Sequence, residues 1–318
     1  MKLKPLLNII GALLSILGTS MIVPIFISMG YVESDTFGFI ISSLICVGIG
    51  LPLWFFTRYS RTLTNRDGFA IVTFSWIVTA IIGALPFYFT GSIPDITDAF
   101  FESMSGVTTT GASILGNSLT HPHLEHGIES LPHGILFWRS FLQWIGGMGI
   151  VVFYIAVLPL LGVGGVQLFK AEVPGPVADK IKPRVRETAK FLWIIYVGIT
   201  SIEIIALRIA GMETFDSICH AFTTMPTGGF STKNMSIGYF DSIYIEVVTI
   251  FFMLISALPF LLLFQFSKGK IFELLQNSQV HFFFYVVIFD SLFIFTFLLV
   301  DFLVCSIFFS SAAILLTR

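Results

Sequence analysis

Charge is scarce in this 318-residue chain. Lys, Arg, Asp and Glu together make up 11% of it, against 55% apolar residues. That shortage excludes a soluble globular domain, whose surface keeps about a quarter of all residues charged. Long apolar runs remain, and they read as an integral membrane protein. Cysteine is nearly absent too. Cys46, Cys219 and Cys305 have no paired spacing and stand in apolar surroundings, so they read as small core residues rather than disulfides or metal ligands. The N-terminus, MKLKPLLNIIGALLSILGTSMIV, has the basic flank of a secretory signal but no Ala-x-Ala-like cleavage site, and its apolar run continues past Pro24 to Ile27. A retained first helix is expected. No enzyme activity, no resident cofactor and no nucleic-acid partner are expected. Membrane lipid is the expected surrounding.

What is present is a series of apolar spans: Leu6–Ser28, Phe37–Thr57, Phe69–Thr90, Gly134–Leu160, Phe191–Ala210, Ile243–Phe266 and about Phe282–Val304. Between them lie two shorter helical stretches, Asp98–Val107 and Asp216–Met225. The expected fold is therefore all-α and polytopic, with about seven transmembrane helices plus two re-entrant helices. Ten helical residues reach only about 15 Å, half of a bilayer core. Each short stretch ends in a Thr/Gly turn, DAFFESMSGVTTTGAS (98–113) and DSICHAFTTMPTGGFS (216–231). At an offset of 118 positions Asp98 falls on Asp216, Thr109 on Thr227, Gly111 on Gly229 and Ser113 on Ser231. Irregular backbone at membrane depth survives only where protein surrounds it or where it lines a watery path. Asp98 is the expected cap of the first short helix. Its C-terminal, partly negative end, followed by threonine oxygens and carbonyls freed by a glycine, suits a dehydrated monovalent cation.

Basic residues give the orientation. With the N-terminus in the cytoplasm and both loops entering from outside, the inner side holds Lys2, Lys4, Arg58, Arg61, Arg66, Lys170, Lys180, Lys182, Arg184, Arg186, Lys190, Lys268 and Lys270. That is thirteen of the seventeen Lys and Arg residues, as the positive-inside rule requires. Both helix–loop–helix repeats then run parallel. The outer side carries Glu33, Asp35, Asp95, Asp98, Glu125, Glu129, Glu213, Asp216 and Asp241, either as a solvated face or as a mouth that concentrates cations. The inner segment around Gly162–Lys190, with Pro174, Pro176 and Pro183, either docks a soluble partner or anchors the chain.

Several single residues have two readings. Arg139 in the outer half of a span either pairs with Glu102 of the first short helix or snorkels to the interface. Glu203, in mid-span, either handles ions or makes a structural hydrogen bond. His121, His123, His126 and His133, with Glu125, read as a polar outer loop rather than a metal site. Gly146, Gly147 and Gly149 read as a close-packing surface. Asp290 and Asp301 in the last span call for further helices to pack against.

The motifs FFESMSGVTTTGAS (100–113), FWRSFLQWIGGMGIVV (137–152), KPRVRETAK (182–190) and FTTMPTGGFSTKN (222–234) together resemble the TrkH-like potassium-transporting subunits of the Trk/Ktr/HKT superfamily. The resemblance covers about residues 1–270. It implies a leading helix pair (1–66), a first repeat (67–165), a second repeat (166–270) and the start of a third (271–318), where the family has four repeats. It maps the filter onto Thr108, Thr109, Thr110, Gly111 and Ala112, and onto Pro226, Thr227, Gly228, Gly229 and Phe230. Potassium, the transported ion, would meet Thr109, Thr110, Thr227 and Gly228. A glycine at the fourth filter position goes with potassium in that superfamily, and serine in the first loop with sodium. The resemblance further implies passive or symport-type uptake across the inner (plasma) membrane, a homodimer, and a cytosolic nucleotide-binding regulatory subunit (TrkA-like). With two filter loops the chain reads as a truncated member or half of a split system, inactive by itself. A secondary carrier of a small solute is the rival function.

Overall fold

The computed structural model describes residues 3–57, 65–115, 127–149, 185–258, 262–263, 269 and 276–296. The chain is all-helical there, with no strand among the described residues. In order come α1 (Leu3–Ser20), α2 (Ile22–Tyr31), α3 (Thr36–Phe56), α4 (Asn65–Phe89), α5 (Ile96–Val107), α6 (His133–Gly147), α7 (Val185–Ile209), α8 (Thr214–Thr224), α9 (Ile243–Ser256) and α10 (Ser278–Thr296). Five stretches are long and apolar enough to cross a membrane: Leu3–Tyr31, Thr36–Phe56, Asp67–Phe89, Phe191–Ile209 and Ser278–Thr296. The expected spans Gly134–Leu160 and Ile243–Phe266 are described only over α6 and α9, and their remaining parts lie outside the described residues or, near 258–266, are only sparsely described.

The first span is two helices rather than one. Pro24 has no N–H for the Ser20 carbonyl, so the ladder breaks at Met21 while the bonds from Met21 N to Leu17 O and from Ile25 N to Met21 O continue around it. α1 then packs on α3 along Gly11, Ser15 and Gly18. A methyl group on Gly11 would stand 2.5 Å from the Trp54 nitrogen, and one on Gly50 2.7 Å from the Ser15 nitrogen. Lipid is as apolar as leucine, so such close contact and a few hydrogen bonds must hold the helices together. Asn8 Nδ2 donates to Trp54 O at 2.6 Å, and Ser43 Oγ to Gly18 O at 2.7 Å.

Each short helix is enclosed by longer ones. Around α5, the buried Phe87, Ala99, Val107, Trp138 and Leu142 belong to a core shared by α1, α3, α4 and α6. Trp138 Nε1 donates to the Gly83 carbonyl at 3.0 Å and ties α6 to α4. Around α8 a smaller cluster of Leu207, Met212, Ala221 and Ile245 joins α7 and α9. Tyr196 of α7 donates to Trp144 O at 2.9 Å, and the Trp144 ring stacks on Phe222 of α8 at 4.9 Å. α6 therefore touches both halves. Residues 1–257 form one compact unit and 258–318 a second. In the second, α10 exposes most of its apolar side chains, and Asp290 is exposed on it; Asp301 lies outside the described residues.

Candidate functional site

α5 and α8 stop in the same way. At 12 and 11 residues they reach about 18 and 16 Å, short of a bilayer core. After α5, Thr109 N donates to Gly106 O and Thr110 N to Ser105 O, both at 3.0 Å. After α8, Thr227 N donates to Thr224 O at 2.8 Å and Gly228 N to Thr223 O at 2.9 Å, the same bonds 118 residues on. The chain then turns left-handed at matching positions: φ is 56° at Thr109 and 57° at Thr227, 75° at Gly111 and 79° at Gly229. A β-branched threonine is unfavourable there, so two such residues at one offset mean that the surroundings impose the shape. The result is a non-helical run whose carbonyls have left the intrahelical ladder. Thr108, Thr110 and Ala112 are exposed in the first loop, Thr227 and Gly229 in the second, while Pro226, Gly228 and Phe230 are buried.

The loops meet. A methyl group on Gly111 would overlap the Gly228 carbonyl, so only glycine permits the approach. One stripe of α6 backs the contact, with Arg139, Gln143, Gly146 and Gly147 at i, i+4, i+7 and i+8. Gly146 abuts the Val107 carbonyl, where the first loop begins, and Gly147 abuts Pro226, where the second begins. These glycines bring a helix onto two loops, a closer fit than helix-on-helix packing.

Arg139 is 1% exposed. Its Nη2 lies 2.7 Å from Glu102 Oε1 and its Nε donates to the same oxygen at 2.9 Å. Nη2 also donates to Ser113 Oγ and Nη1 to the Ser231 carbonyl, each at 3.1 Å. The guanidinium carbon stands 4.3 Å from the Phe230 ring centre. Glu102 also accepts from Ser113 Oγ at 2.9 Å and from Ile114 N at 3.2 Å, so its buried carboxylate is well satisfied. The second repeat has His220 where the first has Glu102. His220 Nδ1 faces the Asp216 carbonyl at 2.8 Å, and Nε2 faces Ser231 Oγ at 3.0 Å. A nitrogen facing a carbonyl must donate, which leaves Nε2 to accept from the serine.

Asp98 does not cap α5. Asp95 does, accepting from Thr97 N at 2.7 Å and Asp98 N at 3.1 Å, because Asp95 holds the extended backbone a cap needs while Asp98 is already in the first turn. Those bonds hold the Asp95 carboxyl below its ordinary pKa. Asp216 instead accepts from Thr232 Oγ1 at 2.6 Å. Near the start of α6, His133 stacks on Tyr31 at 3.7 Å and meets Glu33 at 2.8 Å. Asp35 bonds Ser28, and burial pushes its carboxyl above the usual range. His121, His123, His126 and Glu125 lie outside the described residues; no metal-binding group of His, Cys, Asp or Glu occurs among the described ones. Glu203 is fully buried in α7 with Thr224 as its polar neighbour. Gln143 and Asp95 escape a sequence reading. For Gln143 the available signal is its i+4 spacing from Arg139, with two glycines a turn later.

Comparison with known proteins bears on this arrangement. The family model described as TrkH, cation transport protein, matches residues 36–316. The Escherichia coli K12 Trk system potassium uptake protein TrkH is 45% identical over 274 residues, 85% of this chain and 54% of that one. The chain belongs to the TrkH family. The Escherichia coli K12 protein TrkG is 39% identical over 277 residues, 86% of this chain and 55% of that relative. The solved structure of the potassium transporter TrkH from Vibrio parahaemolyticus superposes with a TM-score of 0.75 at 37% identity, covering 91% of this chain and 57% of that one. This TrkH-family chain thus spans about half the length of the curated relatives it matches. Its all-helical, multi-pass membrane character agrees with that membership.

Proposed function

We propose that this chain supplies two of the loops of a potassium-selective pathway in a Trk-type uptake system. Thr108–Ala112 and Pro226–Phe230 are its filter segments, with potassium held at Thr109, Thr110, Thr227 and Gly228. The carrying observation is the matched pair of loops, left-handed at Thr109/Thr227 and Gly111/Gly229 and in contact at Gly111 and Gly228. Oxygens fixed in an irregular backbone replace the water shell of a dehydrated cation, and their spacing favours one ion radius. Arg139 and Glu102 act as the brace that keeps this spacing, not as ion ligands, since their charges are spent on each other. The chemistry is permeation without covalent steps, and glycine at the fourth position of each loop favours potassium over sodium.

The finer expectations join this proposal. The chain divides into a leading helix pair (1–66) and parallel repeats (67–165, 166–270, with a third beginning at 271). It lies in the inner membrane with a cytoplasmic N-terminus. It works as a homodimer with a cytosolic nucleotide-binding regulatory subunit.

The test is a chimera in which residues 1–270 replace the matching half of the Escherichia coli relative, in a host deleted for its own potassium uptake. Growth at low potassium is expected, and substitution of Ser for Gly111 should weaken potassium-over-sodium selection. A chimera that inserts in the membrane yet carries no potassium, or one indifferent to Gly111, overturns the proposal.

A further inference from the structure

Gln143 stands behind both loops, and neither the charge pattern nor the Thr/Gly motifs point to it. It is 0% exposed, on the α6 stripe that also carries Arg139, Gly146 and Gly147. Its Oε1 accepts the Phe230 N–H at 3.2 Å, fixing the last residue of the second loop. Its carboxamide lies flat against Gly228: a methyl group there would come 2.5 Å from Oε1 and 2.7 Å from Nε2. The same Nε2 is 4.0 Å from where a methyl on Gly111 would sit. Nε2 is buried and has no hydrogen-bond partner among the described residues. A buried amide donor without a partner is rare and unfavourable, so its position beside the contact of Gly111 with Gly228 calls for a purpose.

We infer that Gln143 is a specificity-determining positioning residue: it sets the separation of the two loops and presents an amide donor to the carbonyls where they meet. The inference rests on the filter reading above. Physically, a fixed amide behind the loops does two things. Its volume stops Gly228 from falling back, so the loop oxygens keep one separation instead of adjusting to each ion. Its positive end draws on nearby carbonyl oxygens and lowers the field they offer to a cation, which favours a larger, weakly hydrated ion over a smaller one. Arg139 supplies the rigid frame one turn earlier, and Gln143 the adjustment.

Two measurements test this. In the chimera, the ratio of rubidium to sodium uptake is read for Gln143→Leu, which removes both polar atoms, and for Gln143→Glu, which keeps the acceptor and replaces the donor by an oxygen. Both should lower the ratio, Gln143→Leu by more and up to about tenfold because it also loses the bond from Phe230 N, while Gln143→Asn keeps part of it. An unchanged ratio in the Leu and Glu variants, with Gly111→Ser still lowering it, overturns the role of Gln143 and leaves the filter intact. An unchanged ratio in all three removes the filter reading, and this inference falls with it. The second measurement needs no transport. In the purified 318-residue chain, Gly228→Ala should lower the thermal midpoint, and should do so far less when Gln143 is Ala. Equal falls in both backgrounds would show that the carboxamide does not occupy that space.

Discussion

The two loops share a backbone and differ in how they are fastened. Thr109 and Thr227, Gly111 and Gly229, and the two helix-end hydrogen bonds agree within a few degrees and tenths of an ångström across 118 residues. Around that common shape the first loop is held by a buried ion pair, with Glu102, Arg139 and Ser113 in one network. The second is held by a neutral chain from Asp216 O through His220 to Ser231 and, at its outer end, by the Asp216 carboxylate, which accepts from Thr232 and lies 3.8 Å from Lys233; it also borrows the first repeat's Arg139 through its Ser231 carbonyl. α9, which follows the second loop as α6 follows the first, carries no arginine. Local hydrogen bonding thus fixes the loop shape, whereas one arginine fixes the relation between loops. A repeat need not copy its brace if a neighbour's brace reaches it.

The strongest way to break this comparison is to remove the shared brace. Arg139→Leu leaves Glu102 buried and unpaired and should destabilise the chain by about 3–5 kcal/mol. His220→Ala, which touches only the second loop's neutral chain, should destabilise it by about 1–2 kcal/mol. Chemical denaturation in detergent gives both values. Equal effects would mean that the loops are fastened independently.

Next come the glycines. Gly111→Ala adds left-handed strain and an overlap with the Gly228 carbonyl, together about 2–5 kcal/mol. Among the described residues nothing stands within 4 Å of a methyl on Gly229, so Gly229→Ala should carry the strain alone, about 1–2 kcal/mol. Thermal midpoints of the two variants rank them, and a larger fall for Gly229 would contradict the contact between loops.

The smallest difference lies at the helix starts. Asp95 caps α5, while Glu213 at the start of α8 makes no capping bond. Asp95→Ala should lower the thermal midpoint slightly and Glu213→Ala should not. Because its bonds to Asp98 N and Thr97 N depress the Asp95 pKa, the contribution is present above about pH 4, the ordinary carboxylate range, and is lost as pH falls through the depressed value. An Asp95 effect that persists in strong acid would sink the capping account.

Much of the helical architecture is legible in the sequence because lipid enforces it: apolar runs of spanning length, broken by charge, leave few alternatives. The Thr/Gly turns are legible because two copies at one offset are hard to produce otherwise. Other features hide for physical reasons. Pro24 sits inside an apolar run whose hydropathy does not record the break at Met21. Asp95 and Asp98 are equivalent in sequence, and only the extended backbone at Asp95 makes it the cap. Gln143 is neutral, sits mid-helix, and acquires its place from residues 85 and 87 positions away, a proximity that no local pattern encodes.

The central claim is that these equivalent loops line one cation pathway. Its most direct test is the rubidium-to-sodium uptake ratio of the chimera with Gly111→Ser and with Gly229→Ser, measured side by side. The account predicts a fall in the ratio for each, larger at Gly111, where the added side chain also meets the neighbouring loop. A ratio unchanged by both substitutions would contradict it.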